Sequence, residues 1–139
     1  MSFLDTIFRC DCPVTSALDI VGDKWSLVVI KLMLLEQKKT FKEFSQSDES
    51  IAPSILSNRL KKLEKNGFIV KQKLPNNQKT NHYILTEKGL SLTPIIIELA
   101  LWSHHNIKPV ENQDIVNFKD KNGLYLAIIE RYKSKTVVL

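Results

Sequence analysis

The stretch PSILSNRLKKLEKNG, Pro53 to Gly67, holds the densest set of groups that could contact a polyanion. On a helix, at about 100° per residue, Leu56, Leu60, Leu63 and Gly67 fall within roughly 40° of one another. Ser54, Asn58, Lys61 and Lys65 then point the opposite way. Near the start of this helix, opened by Pro53, the side chains of Ser54, Ser57 and Asn58 offer donors and acceptors that suit base edges. An Asn amide can pair bidentately with adenine. Lys61, Lys62 and Lys65 follow, and their cations suit phosphates, which set position rather than sequence. Arg59 lies between the apolar and polar sides, where it can anchor a phosphate or brace the motif.

The second candidate is a thiol. Cys10 and Cys12 are too few for a disulfide scaffold or an ordinary zinc site. Cys12 precedes Pro13, a residue favoured at a first helical position, so it sits at a helix N-terminus. Backbone N–H groups and the helix dipole favour a thiolate there. Asp11 opposes ionisation, whereas Arg9 and Lys24 support it. Two readings stay open, a redox-responsive thiol with Cys10 as its resolving partner and a small unreactive residue. A bridge from Cys10 to Cys12 within one chain needs a strained loop, so a bridge between subunits is easier. His82, His104 and His105 read as surface residues, because adjacent histidines on a helix diverge by about 100°. No nucleotide loop, nucleophile motif or acid–base pair stands out, so neither an enzyme nor a cofactor or metal site is expected.

The charge distribution bears on the first candidate. The 139 residues carry a net charge of +5, and residues 51–89 alone hold eight basic and two acidic groups, a net of +6. Residues 1–50 net −2 and residues 90–139 net +1. Positive charge confined to one segment points to a polyanionic partner. The apolar share, 43%, suffices for a core. No run of about 18 uncharged apolar residues occurs, so no membrane span is expected. The N-terminus lacks the basic end and apolar run of a signal peptide, which makes a soluble cytoplasmic protein the expectation.

The elements that must position these groups follow from periodicity. A first helix runs from Pro13 to about Val21 and stops at Gly22. Asp23 can cap a second, from Lys24 to about Leu35, whose WSLVVIKLMLL is apolar on nearly every side and reads as a buried central helix. A short helix spans about Thr40–Gln46, and the Pro53 helix follows, with Gly67 as its left-handed stop. FIVKQKL (68–74) and NHYIL (81–85) read as strands joined by the turn formers PNNQKT. Phe68, Val70, Tyr83 and Leu85 are expected to share the inner face. Lys71, Lys73, Asn77 and Lys79 belong to this basic hairpin. Thr86 caps a long helix with an apolar stripe, Leu92, Ile95, Ile96, Leu99 and Trp102, in which Pro94 marks a kink or a restart. Trp25 and Trp102 are expected in the core. LYLAIIERY (124–132) is a last amphipathic segment.

Helix, helix, short helix, capped helix, hairpin, long helix is the order of a winged helix-turn-helix, mainly α with a small β-hairpin. In such a fold the Pro53 helix enters the major groove and the hairpin is a wing. The chain resembles the HxlR-type regulators, relatives of the MarR winged helix proteins. The resemblance rests on CPVTSALDIVGDKWSLVVI, on Phe41-Lys42-Glu43-Phe44, on Leu56 through Gly67 and on Tyr83-Ile84-Leu85-Thr86-Glu87-Lys88-Gly89. It implies a bacterial homodimeric transcription factor bound to double-stranded DNA at a pseudo-palindromic operator. It also implies dimer contacts from the N-terminal region and the helix after the wing, with Cys12 where part of the family senses oxidants or electrophiles. Residues 1–107 would form the DNA-binding domain, and 108–139 a helical extension adding dimer surface. Three features depart from the pattern: Ala52 replaces a capping Ser, Thr40 stands where Arg is common, and the wing tip has Lys79 but no arginine. The alternative is a winged helix that presents its basic face to an acidic protein.

Overall fold

The computed structural model describes residues 8–136. Its elements run α1 (Pro13–Val21), α2 (Ser26–Glu36), α3 (Phe41–Ser45), α4 (Pro53–Lys65), β1 (Ile69–Leu74) and β2 (Asn77–Leu85). Then come α5 (Glu87–Leu90), α6 (Thr93–Asn106), α7 (Gln113–Val116) and α8 (Lys121–Lys135). The core forms around α2, whose Val29, Ile30, Leu32, Met33 and Leu34 are fully buried, as its all-round apolar sequence requires. Phe44 of α3, Leu56 of α4, Ile69 of β1 and Ile97 of α6 close on it, each also without exposed surface.

Local chemistry sets the ends of these elements. Asp23 accepts the N–H groups of Trp25 (3.1 Å) and Ser26 (3.0 Å), so it caps α2 even though the helix begins at Ser26. Thr40 and Glu43 form a reciprocal capping box on α3. Ala52 gives α4 no side-chain cap, and Gly67, at φ +81°, ends it in the left-handed region. Pro94 lies in the first turn of α6, so the long helix restarts there: α5 is one turn capped by Thr86, and Thr93 begins the next helix.

Three expectations need correction. The hairpin pairs Ile69 with Leu85, Val70 with Ile84 and Lys71 with Tyr83. Ile69, Tyr83 and Leu85 therefore share the inner face, while Val70 lies on the other side and is 41% exposed. Phe68 is buried from the turn before β1, not from the strand, so the alternation starts one residue later than expected. Second, β2 begins at Asn77, not residue 81; only Pro75 and Asn76 form the turn, and the register shifts between Lys73 and Leu74. Third, Trp102 is 59% exposed and not in the core, while Trp25 is half-buried against it.

The segment past residue 107 joins the same core. Leu124, Ile128 and Tyr132 of α8 are buried, and the Leu85 N–H donates to the Tyr132 hydroxyl at 2.9 Å. The end of β2 is thus tied to the last helix. Arg131 donates to the Leu35 carbonyl at 3.2 Å, which fixes α8 to the end of α2 as well.

Candidate nucleic-acid interface

Burial of Leu56, Leu60 and Leu63 leaves the other side of α4 in solvent. Pro53, Ser54, Asn58, Lys61 and Lys65 are exposed there; Ser57, Arg59 and Lys62 are half-buried at its margins. On the wing, Lys71, Lys73, Asn77 and Lys79 are exposed. Folding therefore puts a polar, cationic helix face and a basic hairpin on the surface, with the apolar stripe of α4 as their support.

The eight cations of the basic segment have different surroundings. Arg59 Nε is 2.7 Å from Asp23 Oδ2, and Lys62 Nζ is 4.0 Å from Asp23 Oδ1. Lys71 lies 3.9 Å from Glu64 across the α4–β1 junction. Lys88 donates to the Asn66 carbonyl at 2.5 Å and sits 4.7 Å over the Phe68 ring, so it helps hold the end of α4. Lys61, Lys65, Lys73 and Lys79 have no carboxylate partner among the described residues, which leaves four cations for an external anion. The net charge of the segment counts all eight alike.

Asp23, expected only as a cap, makes further contacts. It accepts the Ser26 hydroxyl at 2.6 Å and the Arg59 guanidinium, besides the two N–H groups that start α2. Burial opposes its ionisation, but the hydrogen bonds from Ser26, Arg59 and Trp25 outweigh this and hold its pKa at about 2. The ion pair joins the start of the central helix to the middle of α4. Arg59 therefore ties α4 to the start of α2. Its Nη1 also donates to Asn58 Oδ1 at 2.5 Å. The oxygen end of the Asn58 amide is thereby engaged within the protein.

Cys10 and Cys12 are exposed free thiols. Cys12 is the N-cap of α1. The N–H and hydroxyl of Thr15 and the N–H of Val14 hold its pKa below the ordinary thiol value. The expected help from Arg9 is weakened, since Arg9 pairs with Asp19 at 2.8 Å, and Lys24 lies over the Trp25 ring. The Cys12 N–H donates to Cys10 Sγ at 3.3 Å. His104 and His105 meet edge to face, and His104 Nδ1 accepts the Val110 N–H at 2.9 Å. Among the described residues no set of three or more His, Cys, Asp and Glu side chains could hold a metal ion, and no helix is long and apolar enough to cross a membrane.

The chain is similar in sequence and fold to known proteins. The family described as "HxlR-like helix-turn-helix" matches residues 20–111. The chain is 34% identical over 96 residues to an uncharacterised HTH-type transcriptional regulator of Halalkalibacterium halodurans, covering 69% of this chain and 85% of that one. It is 33% identical over 99 residues to the HTH-type transcriptional regulator YodB of Bacillus subtilis, covering 70% and 88%. Among solved structures it resembles the redox regulator HypR in its oxidised form, at TM-score 0.61 and 33% identity over 68% of this chain and 97% of that one. The reduced form of YodB from B. subtilis superposes at TM-score 0.56, with 30% identity over 73% and 100%. These relatives are regulators, not enzymes.

Proposed function

Because this chain belongs to the HxlR-like helix-turn-helix family of transcriptional regulators, we propose that it acts as a homodimer on double-stranded DNA, at a pseudo-palindromic operator. The observation that carries the reading is the exposed side of α4, with Ser54, Asn58, Lys61 and Lys65, beside a wing bearing Lys73 and Lys79. Ser54, Ser57 and Asn58 read bases, Pro53 sets the start of the helix, and the lysines and Asn77 meet the backbone. Two copies of α4 enter major grooves about one turn apart, roughly 10–10.5 base pairs between half-site centres. Bound there in the cytoplasm, the dimer blocks or aids RNA polymerase.

The twofold pairing uses the apolar surface the monomer leaves uncovered. Val14 and Leu18 of α1 and Leu99 and Trp102 of α6 are each more than half exposed. Ala17 and Ile95 line one open groove between α1 and the start of α6. Residues 1–107 form the DNA-binding domain, and the extension adds Phe118 and Leu126 to the interface. So much exposed apolar surface on neighbouring helices suits association better than solvent.

Cys12 supplies the regulation. As an exposed helix N-cap with a lowered pKa, it is the thiol most ready to react. Diamide takes two electrons and two protons from two thiols while one S–S bond forms. The bridge links Cys12 to a cysteine of the second protomer, and α1 moves with it. HypR and YodB, solved in oxidised and diamide-treated forms, support a redox reading.

The decisive experiment is fluorescence anisotropy with the gene's own upstream DNA across a range of salt. Four cations per protomer, eight in the dimer, give a slope of log K on log salt near −7 by the factor of about 0.9 per phosphate. Absence of binding to any duplex, together with capture of an acidic protein, would favour the protein-interaction alternative. Cys12 found unmodified by mass spectrometry after diamide, with DNA binding unchanged, would remove the redox part alone.

A further inference from the structure

We infer that Asp23 and Arg59 form a positioning relay that sets which base Asn58 selects, and that the selected base is guanine, not adenine. The inference rests on the reading of α4 as the DNA-contacting helix. A guanidinium has donors only, so the Asn58 atom 2.5 Å from Arg59 Nη1 is its carbonyl oxygen, with no ambiguity between amide ends. Arg59 cannot swing freely, because its Nε is bound to Asp23 Oδ2 at 2.7 Å. Asp23 is fixed in turn by the Trp25 and Ser26 N–H groups and by the Ser26 hydroxyl, and Ser26 is fully buried. The chain of contacts runs from the buried start of α2 to an exposed amide on α4.

The consequence is chemical. Reading adenine with an Asn amide requires the oxygen to accept from N6 while the nitrogen donates to N7. Here one lone pair of the oxygen is already taken by a cation, so an amino group brought to the other would also face the guanidinium. What Asn58 presents outward is a pair of N–H donors. Guanine displays two acceptors, N7 and O6, on its major-groove edge, and adenine displays one acceptor beside a donor. The relay thus converts a residue type usually matched to adenine into a donor for guanine. Asp23 touches no DNA; it acts through Arg59.

Selection from duplexes with a randomised core, followed by sequencing, tests this. The position read by Asn58 is the one whose preference disappears in Asn58→Ala. At that position the wild-type dimer should favour guanine over adenine by roughly fivefold to tenfold. Arg59→Ala should free the oxygen and move the preference to adenine there, with other positions unchanged. Asp23→Asn, which keeps an acceptor for the α2 cap, should move it in the same direction, and it serves if Arg59→Ala does not fold. A merely structural role would lower affinity for all sequences and leave the base preference in place. Guanine preference unaltered in a folded Arg59→Ala or Asp23→Asn protein, or adenine already preferred by the wild type, overturns the relay. A wild-type protein that binds no duplex overturns the regulator reading itself, a result distinct from either.

Discussion

Replacing Asp23 by Ala should cost about 3 kcal/mol of stability, a large share of the roughly 5–15 kcal/mol that holds a domain together. The magnitude follows from its four contacts. Losing the cap of α2 costs about 1 kcal/mol. The Ser26 hydroxyl, fully buried, loses its carboxylate partner at 2.6 Å, at about 1–3 kcal/mol. Arg59, with 26% of its side chain exposed, is left half-buried and unpaired, but partial solvation keeps that cost near 1 kcal/mol. Neighbouring contacts do not add fully, hence the lower total. For a chain of 139 residues this lowers the melting temperature by about 10 °C. The same carboxylate makes stability depend on pH. Its folded pKa, about 2, lies below the ordinary 3.8, so folding favours the charged form. Its contribution is complete above about pH 5 and is lost as pH falls through 4 toward 2. The shift corresponds to about 1–2 kcal/mol once solvent screening is allowed for. Urea unfolding of wild type, Asp23→Ala and Asp23→Asn at pH 7 and pH 3 measures both effects. A loss under 1 kcal/mol for Asp23→Ala, or a difference between wild type and Asp23→Asn that does not shrink in acid, refutes the network.

Three other outcomes are expected. Tyr132→Phe leaves the Leu85 N–H without its acceptor at a buried site, so it should cost about 1–3 kcal/mol by thermal unfolding. Lys61→Ala removes one unpaired cation from α4; affinity should fall by similar factors on all DNA sequences, and the salt slope should shrink by about 1 per protomer in anisotropy titrations. Leu99→Asp adds a charge to a side chain already 52% exposed, so the monomer should keep its far-ultraviolet circular dichroism while sedimentation shows the dimer weakened at least about tenfold.

Much of the fold was legible locally. The stripe of Leu56, Leu60 and Leu63 set the orientation of α4, and Gly67 set its end, because a 3.6-residue period and a left-handed stop are properties of neighbouring residues. The Thr40-x-x-Glu43 box was equally readable and was the signal overlooked for α3. The strand phase was not. A period of two turns a one-residue offset into the opposite face, and only packing shows that Phe68 enters from the turn and Val70 faces out. Trp102 failed for another reason. An apolar stripe shows that its burial is favourable, not whether the chain's own core supplies the cover.

What the amino-acid order settled by itself was what near neighbours govern most strongly: the main helices α1, α2 and α4, the left-handed stop of α4, which side of α4 is polar, and that the positive charge lies in residues 51–89. What only the folded chain decided was which charges stay available. Arg59 finds Asp23 36 positions away, and Leu85 finds Tyr132 47 positions away. The reason is physical. Periodicity is a local property of the backbone, whereas ion pairs and hydrogen bonds depend on distances in space, which exist only after the core around α2 has brought remote segments together.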